Sequence, residues 1–171
     1  MKIRRAWAMP NANTFSIKPI KDLIQKEFAG HPKAIDPFVR NSPFKDLCLS
    51  NDLDTDVMAD FHLDALDFLR KRKSARFELV LFDPPYSPRQ VSEVYKKMGR
   101  SVNMQTTQAS FWGDIKAEIA RITCPGGRVI TCGWNSGGVG KKYGFEIVEV
   151  LLVAHGGWHN DTIVTVEEKH K

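Results

Sequence analysis

The chain has 171 residues, 26% of them charged, and its 25 lysines and arginines exceed its 20 aspartates and glutamates, which gives a formal net charge of +5. This length is enough for one domain with a sizeable core, and the moderate basic excess suits a polyanionic partner without requiring one. Three cysteines in or beside apolar runs, without zinc-site spacing, argue against a disulfide scaffold: Cys48, Cys124 and Cys132. No run is apolar enough to span a membrane and no apolar segment follows the basic N-terminus, so we expect a cytoplasmic protein.

The first half of the chain predicts short strands between helices. Residues 1–14 predict a basic and then polar arm. Residues 18–28 carry apolar side chains at helical spacing, and Pro19 suits the first turn of such a helix. A second helix is predicted to begin at Asp64 and to end at the basic run 70–73, since cations suit a helix C-terminus. Strands are predicted over residues 34–36, 47–51, 58–62 and 77–82.

The second half predicts two helices and then three strands. The helices cover residues 87–98 and 107–122, and a turn follows at residues 125–127. Strands are predicted over residues 128–132, 145–154 and 162–166, with a glycine-rich loop over 133–144 and a hairpin connection over 155–161. Seven strands separated by helices, with a terminal hairpin, predict an α/β fold. We therefore expect a single domain over residues 1–171, with a mostly parallel sheet and one antiparallel strand in the hairpin.

The most informative stretch follows the apolar strand predicted over residues 77–82. Asp83, Pro84, Pro85 and Tyr86 come directly after it. The prolines stop the strand, because neither can donate a hydrogen bond to a sheet ladder. Asp83 is therefore expected at the carboxyl end of the strand, which is where an open parallel sheet binds its ligands. The alternative is that the four residues form only a turn that ends the strand.

Asp-Pro-Pro-Tyr resembles the catalytic signature of S-adenosylmethionine-dependent methyltransferases that act on exocyclic amino groups, chiefly adenine N6 in DNA. The whole chain resembles the small phage-type adenine-specific DNA methyltransferases. The resemblance implies a Rossmann-like class I methyltransferase fold, S-adenosylmethionine as cofactor and DNA as partner. It also implies that Asp83 and the Pro84 carbonyl accept hydrogen bonds from the target amino group, that Pro85 shapes the turn and that Tyr86 stacks on the base. A base inside a duplex must be flipped out to reach such a pocket.

A second stretch resembles the cofactor loop of the same family, Asp-Pro-Phe-x-Gly-x-Gly. It consists of Asp36, Pro37, Phe38, Val39, Arg40, Asn41 and Ser42. The first three residues match, but Arg40 and Ser42 occupy the positions of the two glycines, which normally let the backbone approach the ligand. Arg40 either pairs with the cofactor carboxylate or is a solvated surface residue.

Further cofactor contacts follow from the resemblance, each with a structural alternative. The residues before Pro19 resemble the family's Lys-Pro motif, in which the residues before the lysine close over the cofactor. The alternative is that they only begin a helix. They are Phe15, Ser16, Ile17 and Lys18. Asp52 matches the acid that binds the ribose hydroxyls, and Asp54 competes for that role. Asp64, beside Ala65, matches the acid that contacts the cofactor adenine, or it caps the following helix, or it serves both purposes.

Substrate contacts are expected from loops, since no residues remain for a separate target-recognition domain. The cations of residues 88–112 that suit DNA phosphates include Arg89, Lys96 and Lys97, unless this stretch is only a solvated helix pair over the sheet. The aromatic loop residues either stack on bases or pack on other loops; with their neighbours they are Trp134, Asn135, Trp158 and His159. A second protomer or a partner subunit is the other possible source of recognition.

Two rival functions stay open. Asp83 favours adenine over cytosine N4, where serine is commoner in the family, but RNA adenine and a protein glutamine are also possible acceptors. The altered loop at Arg40 and the small size favour a non-catalytic subunit, whereas the intact Asp83 to Tyr86 motif disfavours it. The histidines show no metal-ligand spacing, and no metal is assigned.

Overall fold

The computed structural model describes residues 1–84 and 109–170, with the side chains of 109–111 left out. The strands are β1 (Lys2–Trp7), β2 (Ala34–Asp36), β3 (Cys48–Ser50), β4 (Phe77–Phe82), β5 (Thr123–Gly133), β6 (Phe145–Ala154) and β7 (Thr162–Lys169). The α-helices are α1 (Lys18–Gly30), α2 (Ala65–Arg70) and α3 (Ala109–Ile122). Short 3-10 turns cover Thr14–Ser16, Lys45–Leu47 and Lys141–Tyr143.

The strands form a seven-stranded sheet in the order β1-β6-β7-β5-β4-β2-β3. β7 runs antiparallel to β5 and β6, whereas the other four pairings are parallel. The predicted α/β sheet with an antiparallel strand in the C-terminal hairpin is therefore confirmed. Because six strands run in one direction, their carboxyl ends meet at one edge of the sheet, and this edge collects the residues discussed below.

The prediction of an N-terminal arm is wrong. Residues 2–7 form β1, which pairs in parallel with β6 from Lys2 opposite Glu149 to Trp7 opposite Ala154. The basic side chains do not suggest a strand in the sequence. They are tolerated here because β1 is an edge strand that is only partly buried, and because Arg4 forms an ion pair with Glu149. The sheet consequently extends one strand beyond β6.

The strand predicted over residues 58–62 is also wrong. These residues form only one parallel bridge, between Asn51 and Phe61. The Ser50 N–H donates to the Asp60 carboxylate at 2.9 Å and not to a backbone carbonyl of a neighbouring strand. The turn predicted at residues 125–127 lies inside β5, where the register advances from Phe77–Thr123 to Leu79–Arg128. The helix predicted over 87–98 lies outside the described residues, and of the helix predicted over 107–122 the described part is α3.

Two apolar layers enclose the sheet. On one face, α1 packs Ile20, Leu23 and Ile24 over the central strands and the inner side of β6. On the other face, α2 and α3 cover the half of the sheet formed by β2, β4 and β5. No helix within residues 1–84 and 109–170 has the length and apolarity to cross a membrane.

A buried ion pair anchors α1 to the sheet. The Glu27 carboxylate is 3% exposed and accepts a hydrogen bond from the Arg128 guanidinium of β5 at 2.7 Å. Arg128 also pairs with Glu168 of β7 at 2.8 Å. The pair therefore ties the C-terminal half of α1 to the sheet.

We expect Glu27→Ala to lower the free energy of unfolding by about 2–3 kcal/mol, because the substitution leaves Arg128 without its most buried partner. Urea unfolding followed by circular dichroism measures the loss. Asp22→Asn is the matched control on the same helix: it breaks the exposed ion pair with Lys18 and should cost under about 0.5 kcal/mol. Equal losses for the two variants would contradict the anchoring role of Glu27.

Candidate active site

A cavity of about 400 Å³ opens at the carboxyl edge of the sheet. Asp83 and Pro84, which follow β4, form part of its wall, and Asp83 is only 6% exposed. Arg40 reaches the cavity from the loop after β2, and Trp134 reaches it from the loop after β5. The expected position of Asp83 at the end of a buried strand is thus confirmed, while Pro85 and Tyr86 lie outside the described residues.

The loop after β2 keeps a sharp bend without its two glycines. Arg40 adopts a positive φ of 44°, a conformation that costs a non-glycine residue about 1 kcal/mol or more. The Arg40 N–H donates to Asp52 Oδ2 at 2.8 Å, and this bond holds the strained residue in place. Ser42 is buried, and its hydroxyl accepts a hydrogen bond from the Phe44 N–H, whereas Asn41 is exposed.

Asn51 connects this loop to the rest of the site. Its side-chain amide donates to the carbonyls of Pro37 and Leu63, at 3.2 and 3.0 Å, and its side-chain oxygen accepts from the Leu63 N–H at 3.0 Å. Its backbone N–H donates to Asp36 O, and its carbonyl accepts from the Val39 N–H. Sequence reasoning missed this residue, because its partners are up to 15 positions away and only the fold brings them together.

Asp36 is a fully buried carboxyl group at the end of β2. Its Oδ1 accepts a hydrogen bond from the Phe38 N–H at 2.9 Å, whereas its Oδ2 has no partner among the described residues. Burial raises the pKa of the Asp36 carboxyl to about 8, against the hydrogen bond from Phe38, and the negative charge of Asp83 adds to the rise. The group is therefore mostly protonated at neutral pH.

The other predicted cofactor acids have structural partners. Asp52 accepts from the N–H groups of Arg40 and Asp54, and its partial exposure leaves lone pairs for a ligand. Asp64 caps α2, because its Oδ1 accepts from the Leu66 N–H at 3.0 Å, so the capping alternative is confirmed. Ala65 is buried in the first turn of α2.

The residues before α1 divide into two groups. Phe15 and Ile17 are buried, and Ile17 reaches the wall of the cavity. Lys18 is the first residue of α1, and its ammonium group pairs with Asp22 at 2.8 Å on the exposed surface. Ser16 ends the 3-10 turn between them. Phe15 also lines a narrow cleft with Arg40 and Asp83, so this segment borders the expected cofactor loop.

Two exposed tryptophans border the cavity. Trp134 is 47% exposed, and Trp158 is fully exposed on the loop between β6 and β7, beside the exposed His159. Asn135 lies on a separate cavity of about 230 Å³, which shares Pro84 and Trp134 with the first cavity. The predicted phosphate contacts Arg89, Lys96 and Lys97 lie outside the described residues.

A buried carboxylate fixes the glycine-rich loop that carries Trp134. Glu167 of β7 accepts hydrogen bonds from the backbone N–H groups of Val139 and Gly140, at 2.6 and 2.9 Å. Gly138 has a positive φ of 50°, and an added Cβ would clash with the Glu167 carboxylate, so glycine suits this position. Burial raises the pKa of Glu167, which the two N–H donors partly offset.

Sequence reasoning also missed the N-terminal wall of the cavity. Pro10, Asn11, Ala12 and Thr14 line it, opposite the loop after β2, together with the buried His155. The position of His155 directly after an apolar strand was the available signal. No group of three metal-ligating side chains comes together within residues 1–84 and 109–170.

No protein-family model matches the sequence, and no curated protein matches it at a significant level. Several solved structures are similar. TrmN from Thermus thermophilus is 19% identical with a TM-score of 0.55, over 90% of this chain and 49% of that one, so this chain spans about half the length of TrmN. The N-methyltransferase NodS from Bradyrhizobium japonicum WM9 is 9% identical with a TM-score of 0.60, over 95% of this chain and 100% of NodS.

A third similar structure is the 1,6-didemethyltoxoflavin-N1-methyltransferase of Burkholderia thailandensis, with bound 1,6-didemethyltoxoflavin and S-adenosylhomocysteine. It is 13% identical with a TM-score of 0.60, over 90% of this chain and 78% of that one. Identities this low establish the fold alone. The chain has the Rossmann-like fold of the class I S-adenosylmethionine-dependent methyltransferases, as the sequence resemblance predicts.

We expect Asp36→Asn to remove a pH dependence of stability. Asp36 titrates at 3.8 in its ordinary state and at about 8 in the fold, so its stabilising contribution is complete below about pH 4, falls as the pH rises and is gone above about pH 8. The variant should therefore gain stability relative to the parent by about 1.4 kcal/mol per pH unit across this window.

Urea unfolding of both proteins at pH 5, 6, 7 and 8 measures this difference. Asp22→Asn, which neutralises a half-exposed carboxylate, is the control and should follow the parent at each pH. Parallel pH profiles for the parent and Asp36→Asn would show that Asp36 is ionised in the fold.

Proposed function

We propose that this protein is an S-adenosylmethionine-dependent methyltransferase that transfers a methyl group to the N6 amino group of adenine in DNA. The observation that carries the proposal is Asp83, a buried acid that opens an Asp-Pro-Pro-Tyr motif at the carboxyl end of β4 and borders a cavity. In open α/β sheets this is the position of the reacting groups. The methyltransferase fold supports the same reading.

The residues around the loop after β2 fit the cofactor. When bound, S-adenosylmethionine supplies an electrophilic methyl group on a sulfonium sulfur. Arg40 borders the cavity and suits a carboxylate, and the partly exposed Asp52 suits a ribose diol. Asp36, whose Oδ2 has no hydrogen-bond partner among the described residues, begins this loop. The similar structures of NodS and of the 1,6-didemethyltoxoflavin-N1-methyltransferase contain S-adenosylhomocysteine.

The chemistry of the acceptor explains why an acid and a carbonyl stand together. The amino nitrogen of adenine is a weak nucleophile, because its lone pair is delocalised into the ring. Asp83 and the Pro84 carbonyl would accept its two hydrogens and draw the nitrogen towards tetrahedral geometry as the methyl group arrives, which favours the transition state. Tyr86 would stack on the base, and Pro85 would hold the turn.

The exposed aromatic residues suit a base that has left the duplex. Such a base must be flipped into the cavity, and stacking compensates for the contacts it loses. Trp134 and Trp158 present indole rings at the cavity, and His159 and Asn135 add hydrogen-bonding groups beside them. In this proposal Arg89, Lys96 and Lys97 contact DNA phosphates, and a second protomer or a partner subunit can add target recognition.

A non-catalytic role is the main rival from another class. It drew support from the loss of two glycines in the cofactor loop, but Arg40 adopts the left-handed conformation that a glycine would supply. The bend is therefore kept, which favours a binding-competent loop. Cytosine N4, RNA adenine and protein glutamine are the rival acceptors that the assay below separates.

We expect Asp83→Ala to reduce methyl transfer by at least about 100-fold, the usual scale for a lost electrostatic contact at the reacting atom. The measurement is transfer of tritiated methyl from S-adenosylmethionine to unmethylated duplex DNA, with RNA in parallel and the products identified as nucleosides. Cofactor affinity by calorimetry should stay within a few-fold of the parent. Unchanged methyl transfer by Asp83→Ala would show that Asp83 does not take part in the reaction. Label in RNA or protein instead of DNA would show that DNA is not the substrate.

We expect Asp52→Ala to weaken cofactor binding by about 1–3 kcal/mol, because the ribose hydroxyls lose an acceptor and Arg40 loses the bond that holds its strained backbone. Isothermal titration with S-adenosylhomocysteine gives the affinity. Asp54→Ala is the matched control, since Asp54 lies on the same loop and accepts a hydrogen bond from Asp56. A larger loss for Asp54→Ala would transfer the ribose role to that residue.

A further inference from the structure

The N-terminal strand forms an exposed surface beside the cavity. Trp7 and Met9 are 65% and 68% exposed, although large apolar side chains are usually buried. Strand alternation places Ile3, Arg5 and Trp7 on the sheet face opposite α1, because Ala6 packs against the apolar cluster around α1. We call this row, Ile3, Arg5, Trp7 and Met9, the β1 row.

The structure joins the β1 row to the hairpin that carries Trp158. The Ala8 N–H donates to Ala154 O at 3.1 Å, and His155 Nδ1 lies 2.8 Å from Ala8 O. His155 Nε2 lies 2.8 Å from the Thr162 hydroxyl on the other arm of the hairpin. The indole nitrogen of Trp7 lies over Gly156, where an added Cβ would be 3.5 Å away. Trp7 therefore lies against the loop whose tip presents Trp158.

The same segment continues into the wall of the cavity. After Met9, residues 10–12 and Thr14 line the cavity that contains Asp83. A ligand that enters this cavity and extends outwards would meet this segment and the hairpin first. The β1 row is thus continuous with the candidate active site, although it lies up to 80 residues from Asp83 in the sequence.

The charges of β1 favour one kind of occupant. Lys2 and Arg5 are exposed and form no ion pair with the described residues, whereas Arg4 pairs with Glu149. A second copy is disfavoured, because antiparallel pairing of two β1 strands about their centre would set Arg4 opposite Arg4 or Arg5 opposite Arg5 of the other copy. Cations next to exposed aromatic rings are typical of surfaces that bind single strands of nucleic acid, where rings stack on bases and cations meet phosphates.

We propose that the β1 row binds the DNA strand that flanks the target base, with Trp7 stacked on an unpaired base and Arg5 in contact with a phosphate. The inference rests on the proposed function, which brings DNA to the cavity. It adds a second contact region, from the N-terminus of the chain, to the loops after β5 and β6.

Fluorescence anisotropy with a fluorescein-labelled single-stranded 20-mer of mixed sequence, in the presence of S-adenosylhomocysteine, tests this surface. Trp7→Ala should weaken binding about tenfold, and Trp7→Phe should recover most of the loss, since a ring is restored. Arg5→Ala should lower the slope of log affinity against log salt by about 0.7, whereas Trp7→Ala should leave that slope unchanged. If either residue had only a structural role, its substitution would not change affinity and salt dependence separately in this way.

Two exposed residues elsewhere provide matched controls. Met58→Ala removes a large apolar side chain beyond β3, at the opposite end of the sheet, and Arg70→Ala removes a cation at the end of α2. Both should bind DNA as the parent does. Circular dichroism and thermal melts confirm that all variants are folded, which their surface positions favour.

The outcomes separate this inference from the proposed function. Methyl transfer by the parent together with parent-like DNA binding by Trp7→Ala and Arg5→Ala would overturn the inference and leave the function standing. Trp7-dependent DNA binding without methyl transfer to DNA would support the surface and overturn the function. Tighter, Trp7-dependent binding of the RNA 20-mer of the same sequence would overturn the assignment to DNA.

Discussion

The candidate site depends on the way the fold holds the loop after β2 against the end of β3. Asn51 does this with its side-chain amide and its backbone, which bond to Pro37, Leu63, Asp36 and Val39. The segment over residues 58–62 adds one bridge and no strand, so side-chain hydrogen bonds at Asn51 and Asp60 take the place of a sheet ladder. Because Asn51 is 1% exposed, losing one of its bonds would leave a buried polar group unsatisfied and loosen the loop.

A second constraint is the pair of buried acids at the carboxyl edge. Asp36 and Asp83 end neighbouring strands, and the low dielectric around them opposes two negative charges. Burial raises the pKa of Asp36, and Asp83 is the acid that reaches the cavity.

The N-terminal strand changes the shape of the site. β1 extends the sheet beyond β6, and the residues after it close one side of the cavity through His155 and the hairpin. An exposed aromatic and basic surface thereby lies next to the cavity that Asp83 borders. The ion pair between Glu27 and Arg128 holds the C-terminal half of α1 against the sheet.

The strands and helices whose patterns are local followed from the sequence. The apolar run before Asp83 identified β4 and its carboxyl end, and the spacing of residues 18–28 identified α1, because burial of one face leaves a periodic trace. The resemblance of Asp-Pro-Pro-Tyr also predicted the methyltransferase fold that solved structures share.

Only the tertiary structure decided the features that join distant residues. β1 has a charged sequence and becomes a strand because β6 supplies its hydrogen bonds, while residues 58–62 look like a strand and lose their ladder to the Asp60 carboxylate. Partners far away in the chain determine the hydrogen bonds of Asn51, the strained backbone of Arg40 and the contact of Ala8 with His155. The local sequence pattern indicates which side chains a segment buries. Hydrogen bonds between distant segments depend on the packing that brings those segments together.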